Sequence, residues 1–165
     1  MAVPRLPGFR GTVFLQLRHP LKVIQSLVDM RFFTDAARYV PYRRFAAMYF
    51  DILGDDLLDA MRWWVEWNAA AASYADLTYQ VERIDAELFS SMLEMVGVVD
   101  SHDAQRRAEQ AIAHVTRDIN AATRKSTESR PPLSWEDLPA GDARERLAEA
   151  ARSFGYTPDD PDVSR

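Results

Sequence analysis

The stretch TVFLQLRHPLKVIQS, Thr12–Ser26, sets the architecture expected of the whole chain. It begins as a short apolar run, Val13, Phe14, Leu15 and Leu17, with the length and composition of a buried strand. It turns through Arg18, His19 and Pro20 and continues as an amphipathic helix with Leu21, Val23, Ile24, Leu27 and Val28 apolar. Pro20 suits the first helical position, where its missing N–H is no loss. The polar residues break the usual pattern. Helix N-termini favour Asp and Glu because the dipole there is positive, yet this one carries Arg18, His19 and Lys22. Misplaced charges cost roughly 0.3–1 kcal/mol each. The cost disappears if an anion sits on the turn, held by the free N–H groups.

The composition narrows what such an anion belongs to. A chain of 165 residues, 47% hydrophobic and 27% charged, can bury one ordinary globular core. Its net charge of −5 argues against bulk nucleic-acid binding, which needs a basic footprint. There is no cysteine, which closes disulfide and thiolate-metal chemistry. No apolar run approaches the roughly 20 residues of a membrane span, and residues 1–11 lack the apolar segment of a signal peptide. The expectation is a soluble cytoplasmic protein with no nucleic-acid or membrane partner.

Outward from the opening stretch, residues 30–56 place aromatic and aliphatic side chains at helical spacing, interrupted by Pro41 and closed by Gly54. Two short helices or one kinked one are expected there. Asp55 or Asp56 caps a longer helix in which Trp63 and Trp67, four apart, share a face while Trp64 points elsewhere. Tryptophans so placed are usually core anchors. Leu77–Glu82 alternates apolar and polar residues and predicts a second strand. Asp85 caps a following helix that ends near Gly97, and another helix runs from about Asp103 to Asn120. Residues 122–134 are polar and proline-containing, as a loop is. Ser134 with Asp137 gives a capping-box-like start to SWEDL, with Asp in place of Glu or Gln. The last helix, Gly141–Phe154, stops at Gly155. Two strands separated by so much helix imply a helix-rich α/β fold with parallel pairing. Two strands alone make a poor sheet, so its neighbours are expected to be missing.

Arg18 falls at the carboxyl end of a strand, where open α/β sheets place ligands. Its planar fork can grip a phosphate through two hydrogen bonds. Ser26, two turns into the helix, could donate its hydroxyl to the same oxygens. The plainer alternative is an arginine paired with a carboxylate and a serine on a solvated face. The lack of any acid between His19 and Gln25 favours the anion. Arg124 and Lys125 form a second candidate grip, against the alternative of a solvated charge pair. Glu82 is equally a salt-bridge partner or a site acid. His102 with Asp103, and His114 with Asp118, lack a third well-placed ligand, so no metal is expected. No Gly-rich phosphate loop and no nucleophile elbow occurs.

Three blocks together resemble the carboxyl-terminal portion of sulfotransferases that use 3′-phosphoadenosine 5′-phosphosulfate, bacterial members above all. VFLQLRHPLKVIQSL is similar to the family's strand–Arg-x-Pro–helix–Ser element, TYQVERI to its later strand ending in Glu, and LSWEDLP with the FGY that follows the last helix to its ending. The resemblance covers nearly the whole chain. It implies a P-loop-NTPase-like fold of parallel strands, here lacking the amino-terminal phosphosulfate-loop strand. The sulfotransferase-like domain would cover residues 1–156, with 157–165 as a tail.

It further implies an enzyme class that moves a sulfuryl group from the nucleotide cosubstrate to an acceptor hydroxyl or amine. Arg18 and Ser26 become contacts to the nucleotide's 3′-phosphate, and Arg124 and Lys125 a second grip that lacks the family's following Gly. Where many members carry an adenine-contacting Tyr before the Glu, this chain has Val81. The phosphosulfate loop and the general base are missing before Thr12, so the chain alone is expected to anchor the cofactor without transferring sulfate. The acceptor is not specified. The alternative is a non-catalytic helical module derived from such an enzyme that binds partners through its aromatic helices. In either case the sheet edges left exposed would invite self-association.

Overall fold

The computed structural model describes residues 11–34, 40–97, 101–114 and 131–157. Arg124, Lys125 and residues 158–165 of the predicted tail lie outside these residues, as does the stretch from 115 to 120 expected to be helical. The two predicted strands form and pair in parallel: β1 is Phe14–Leu17 and β2 is Leu77–Gln80. Their register runs from Phe14 opposite Leu77 to Leu17 opposite Gln80. The second strand is shorter than its alternation suggested, because Val81–Arg83 tightens into a 3-10 turn.

Between the strands run α1 (Pro20–Asp29), α2 (Val40–Ala47) and α3 (Asp56–Ala72); α4 (Ala86–Met95), α5 (Ser101–His114) and α6 (Asp142–Ser153) follow. The result is a helix-rich α/β arrangement around a two-stranded sheet among the described residues. Pro20 occupies the first turn of α1, and Pro41 is the second described residue of α2. Asp55 is the cap of α3, accepting the Leu57 and Leu58 N–H groups at 3.0 Å each. Asp85 caps α4 through the Leu88 N–H at 2.8 Å. SWEDL differs from expectation. Asp137 does reach back to the Ser134 N–H at 2.8 Å, but it also takes the Ser134 hydroxyl at 2.7 Å. Among the described residues no helix N–H donates to the Ser134 hydroxyl, and the segment is a turn leading to Pro139.

α3 is the hub, packing on α1, on α6 and on β1. Leu17, Leu21, Ile24, Met61, Trp64, Leu147 and Tyr156 form the core with the aromatics Phe33, Phe50 and Trp63. Trp63 and Trp67 stack at 4.9 Å as their spacing implied, while Trp64 leaves on another side to meet Phe154 and Tyr156 edge-on. Truncating a buried tryptophan to alanine costs about 3–5 kcal/mol, so Trp64 alone carries a large share of the stability. α4 and α5 pack chiefly on each other, with Met92, Ala104 and Ala108 buried outside the main core cluster. Among the described residues no helix is long and apolar enough to cross a membrane.

Candidate functional site

The parallel register does not stop where the strands do. The 63-residue offset that pairs Gln16 with Tyr79 also brings Val13 to Asp76 and His19 to Glu82. The His19 N–H donates to Glu82 Oε1 at 2.9 Å, and the Tyr156 hydroxyl donates to Glu82 Oε2 at 3.0 Å. The Trp64 indole N–H donates to the Arg18 carbonyl at 3.2 Å. The His19 ring meets the Tyr156 ring edge-to-face at 5.3 Å. The strand-to-helix turn is thus fixed by β2's extension, by α3 and by the segment after α6.

His19 is the N-cap of α1, 1% exposed, and its Nδ1 accepts the Leu21 N–H at 3.3 Å. Through its ring, His19 therefore serves the helix start as a cap acceptor. Its residue type suggested a cation, but its burial and capping role make it an acceptor. The cationic side chains of the turn are Arg18, which is exposed, and Lys22, which is half-buried. Among the described residues neither forms an ion pair or a side-chain hydrogen bond.

The backbone offers an anion less than the sequence suggested. Pro20 has no N–H, the Leu21 N–H is taken by His19, and the Val23 N–H goes to the His19 carbonyl at 3.2 Å. Only the Lys22 N–H of the first turn has no protein acceptor among the described residues. An anion here would be held chiefly by side chains. Pro20, Leu21 and Ile24 face the core, and the 100° helical step puts Lys22 and Ser26 together on the opposite side. One helical turn, about 6 Å, separates them along the axis. Ser26 is half-buried, with its Oγ 3.9 Å from Met30 Sδ.

Among the described residues Glu82 forms no ion pair; its oxygens accept a backbone N–H and a phenol, and through them it orders the turn. Tyr79, on the alternate side of β2, donates to Gln16 Oε1 at 3.1 Å, and burial raises its phenol pKa. Away from the turn, Asp103 pairs with both Arg106 and Arg107, and those contacts hold its carboxyl below the ordinary aspartate range. The His114 Nδ1 lies 2.6 Å from the Gln110 carbonyl. Among the described residues no three His, Cys, Asp or Glu side chains gather as a metal would require. A cavity of about 180 Å³ lies between α3 and α6, lined by Arg62, Val65, Glu66, Asp142, Ala143 and Arg146; no residue of the Arg18 turn lines it.

Two signals would have found the missed residues. Extending the strand pairing by two positions puts Glu82 opposite His19. The aromatic Tyr156 just past Gly155 is the kind of residue that docks on a core. Compared with known proteins, the chain matches no family model, no curated protein and no solved structure.

Proposed function

We propose that this chain binds the 3′-phosphate of an adenine nucleotide at the Arg18 turn, as the anchoring part of a sulfotransferase-type fold that uses 3′-phosphoadenosine 5′-phosphosulfate. The observation that carries the proposal is a cationic turn without counter-charge. Arg18 and Lys22 stand at the carboxyl end of β1 with no protein carboxylate paired to either among the described residues. Two cations on one turn make a positive patch that a ligand can neutralise, and a phosphate suits the planar Arg fork beside the compact Lys charge.

In this proposal Arg18 supplies bidentate hydrogen bonds, Lys22 supplies charge, and Ser26 donates its hydroxyl from the same side of α1 as Lys22. Arg124 and Lys125 are the remaining proposed contacts. In such a fold the cosubstrate supplies the sulfuryl group for transfer to a hydroxyl or amine. The part played by these residues is to hold the nucleotide's far end, which fixes orientation without moving a proton.

Calorimetric titration of adenosine 3′,5′-bisphosphate tests this. Wild type should bind, and Arg18→Ala should bind at least tenfold more weakly, the loss of one charge-assisted contact. Adenosine 5′-monophosphate should bind more weakly than the bisphosphate. Equal binding by wild type and Arg18→Ala, or none by either, sinks the proposal.

A second proposal, the non-catalytic interaction module, draws support from α2. Tyr42 and Phe45 of α2 stay partly exposed while packing on Phe32, Trp63 and Trp67, and Met48, just past the helix, is 71% exposed. Failure of wild type to bind the bisphosphate would shift the weight to this alternative.

A further inference from the structure

We infer that Glu82 and Tyr156 are positioning residues for the Arg18 turn, so that the segment after α6 is a working part of the site and not merely the end of the fold. The nucleotide half of this inference rests on the function proposed above; the geometric half stands by itself.

The turn has to hold Arg18 still while leaving its side chain in solvent. Its own helix cannot do that, because the turn precedes the first full helical hydrogen bond. Three outside groups do it instead. The Trp64 indole fixes the carbonyl of Arg18, and Glu82 fixes the N–H of His19, so the peptide unit joining Arg18 to His19 is held at both ends. Glu82 in turn is held by the Tyr156 hydroxyl on its other oxygen. Tyr156 is 2% exposed, and its ring also packs edge-on against His19 and Trp64. One phenol therefore touches both groups that fix the turn as well as the cap residue itself. Gln80 adds to the closure, donating to the Phe154 carbonyl at 2.6 Å. The chain passes from α6 through Phe154 and Gly155 to Tyr156 with its course set by β2. A site residue placed by packing and hydrogen bonds from elements remote in sequence is held in the geometry binding requires.

Removing the phenol oxygen while keeping the ring, Tyr156→Phe, leaves the packing and deletes only the hold on Glu82. Glu82→Gln keeps the shape and an acceptor for His19 but loses the charge. Neither change touches Arg18, Lys22 or Ser26. The ligand-free readout is solvent exchange of the Trp64 indole N–H by NMR, which reports on its bond to the Arg18 carbonyl. Both variants should exchange that proton faster while remaining folded by circular dichroism. Unchanged exchange in both overturns the inference, whether or not nucleotide binds.

The ligand readout is adenosine 3′,5′-bisphosphate affinity, measured well below the melting temperature. It should fall roughly three- to tenfold in each variant, as losing a hydrogen bond that orders the turn would give. Unchanged affinity in both folded variants also overturns the inference, because a purely structural bond would lower the melting temperature and leave the affinity alone. If wild type binds no bisphosphate but the Trp64 proton exchanges faster in both variants, the clamp stands and the proposed ligand falls.

Discussion

Replacing Asp59 should cost more than any other single polar substitution in α3, and the size of the loss follows from its surroundings. Asp59 is completely buried in the first turn of that helix. Its Oδ2 accepts the Leu53 N–H at 3.1 Å and the Gly54 N–H at 2.9 Å, and its Oδ1 lies 2.9 Å from the same Leu53 nitrogen. Hydrogen bonds to a charged group contribute about 1.5–3 kcal/mol each, so two N–H donors give a gross figure of about 3–6 kcal/mol. Arg62 stands 3.7 Å away with a quarter of its side chain exposed, which adds well under about 1 kcal/mol after screening. Leu53 and Gly54 are themselves exposed, so water can reach their freed N–H groups and lower the cost.

Asp59→Ala should therefore lose about 2–4 kcal/mol. Asp59→Asn can keep its carbonyl where Oδ2 was, but loses the charge and turns an NH2 towards the Leu53 N–H; about 1–2 kcal/mol is expected. Urea unfolding followed by tryptophan fluorescence measures both, with an unchanged denaturant slope as the sign of a simple stability effect. A loss below about 0.5 kcal/mol for the alanine variant, or asparagine worse than alanine, would refute the claim that this carboxylate holds the 53–54 loop onto α3.

Other expectations reach the site and the C-terminal segment. Gly155 has φ +79°, and a Cβ there would meet Gln80 Nε2 at 3.1 Å, while Gly54 at φ +88° has open space around it. Gly155→Ala should cost more than Gly54→Ala, whose penalty is the backbone strain of about 1–2 kcal/mol alone; equal losses in thermal unfolding would mean that the Gln80 contact yields freely. The Asp137 carboxyl is held below the ordinary aspartate range by the Ser134 hydroxyl and N–H. A carboxyl depressed in the fold stabilises it above the unfolded pKa, and that contribution is lost as pH falls through the folded value. Wild type should therefore lose stability faster than Asp137→Asn below about pH 4, and parallel acid-unfolding curves would count against the turn.

The sequence carried the local structure better than the contacts that build the site. Pro20, the apolar run before it and the amphipathic residues after it sufficed for β1 and α1, because each cue acts within a few residues. Asp55 and Asp85 were legible as caps for the same reason. Glu82 was not, since its partners are a backbone N–H 63 positions away and a phenol 74 away. Side-chain type alone left it undecided between ion pair and site acid, and gave no sign of the two hydrogen bonds it accepts. His19 misled because its type suggests charge, whereas its place between Tyr156 and α1 makes it a buried cap acceptor. Ser134 and Asp137 satisfied each other instead of starting a helix. The exposure of Met48 was also illegible, because side-chain type alone does not tell which apolar residues past a helix end stay in solvent.

The constant offset between β1 and β2 has a consequence for how the molecule comes together. A parallel pair joined through three helices has no tight turn from which to zip, and closing so long a loop must come before any ladder bond rewards it. α3, with its own aspartate cap and stacked tryptophans, can form from local contacts. The bonds from His19 to Glu82 and from Tyr156 to Glu82 require β1, β2 and α6 to be in place already. The Arg18 turn should then be among the last features to take shape during refolding. Capacity to bind the proposed nucleotide would trail the recovery of helix in a stopped-flow experiment, and a chain caught part-way would be helical yet without its clamp.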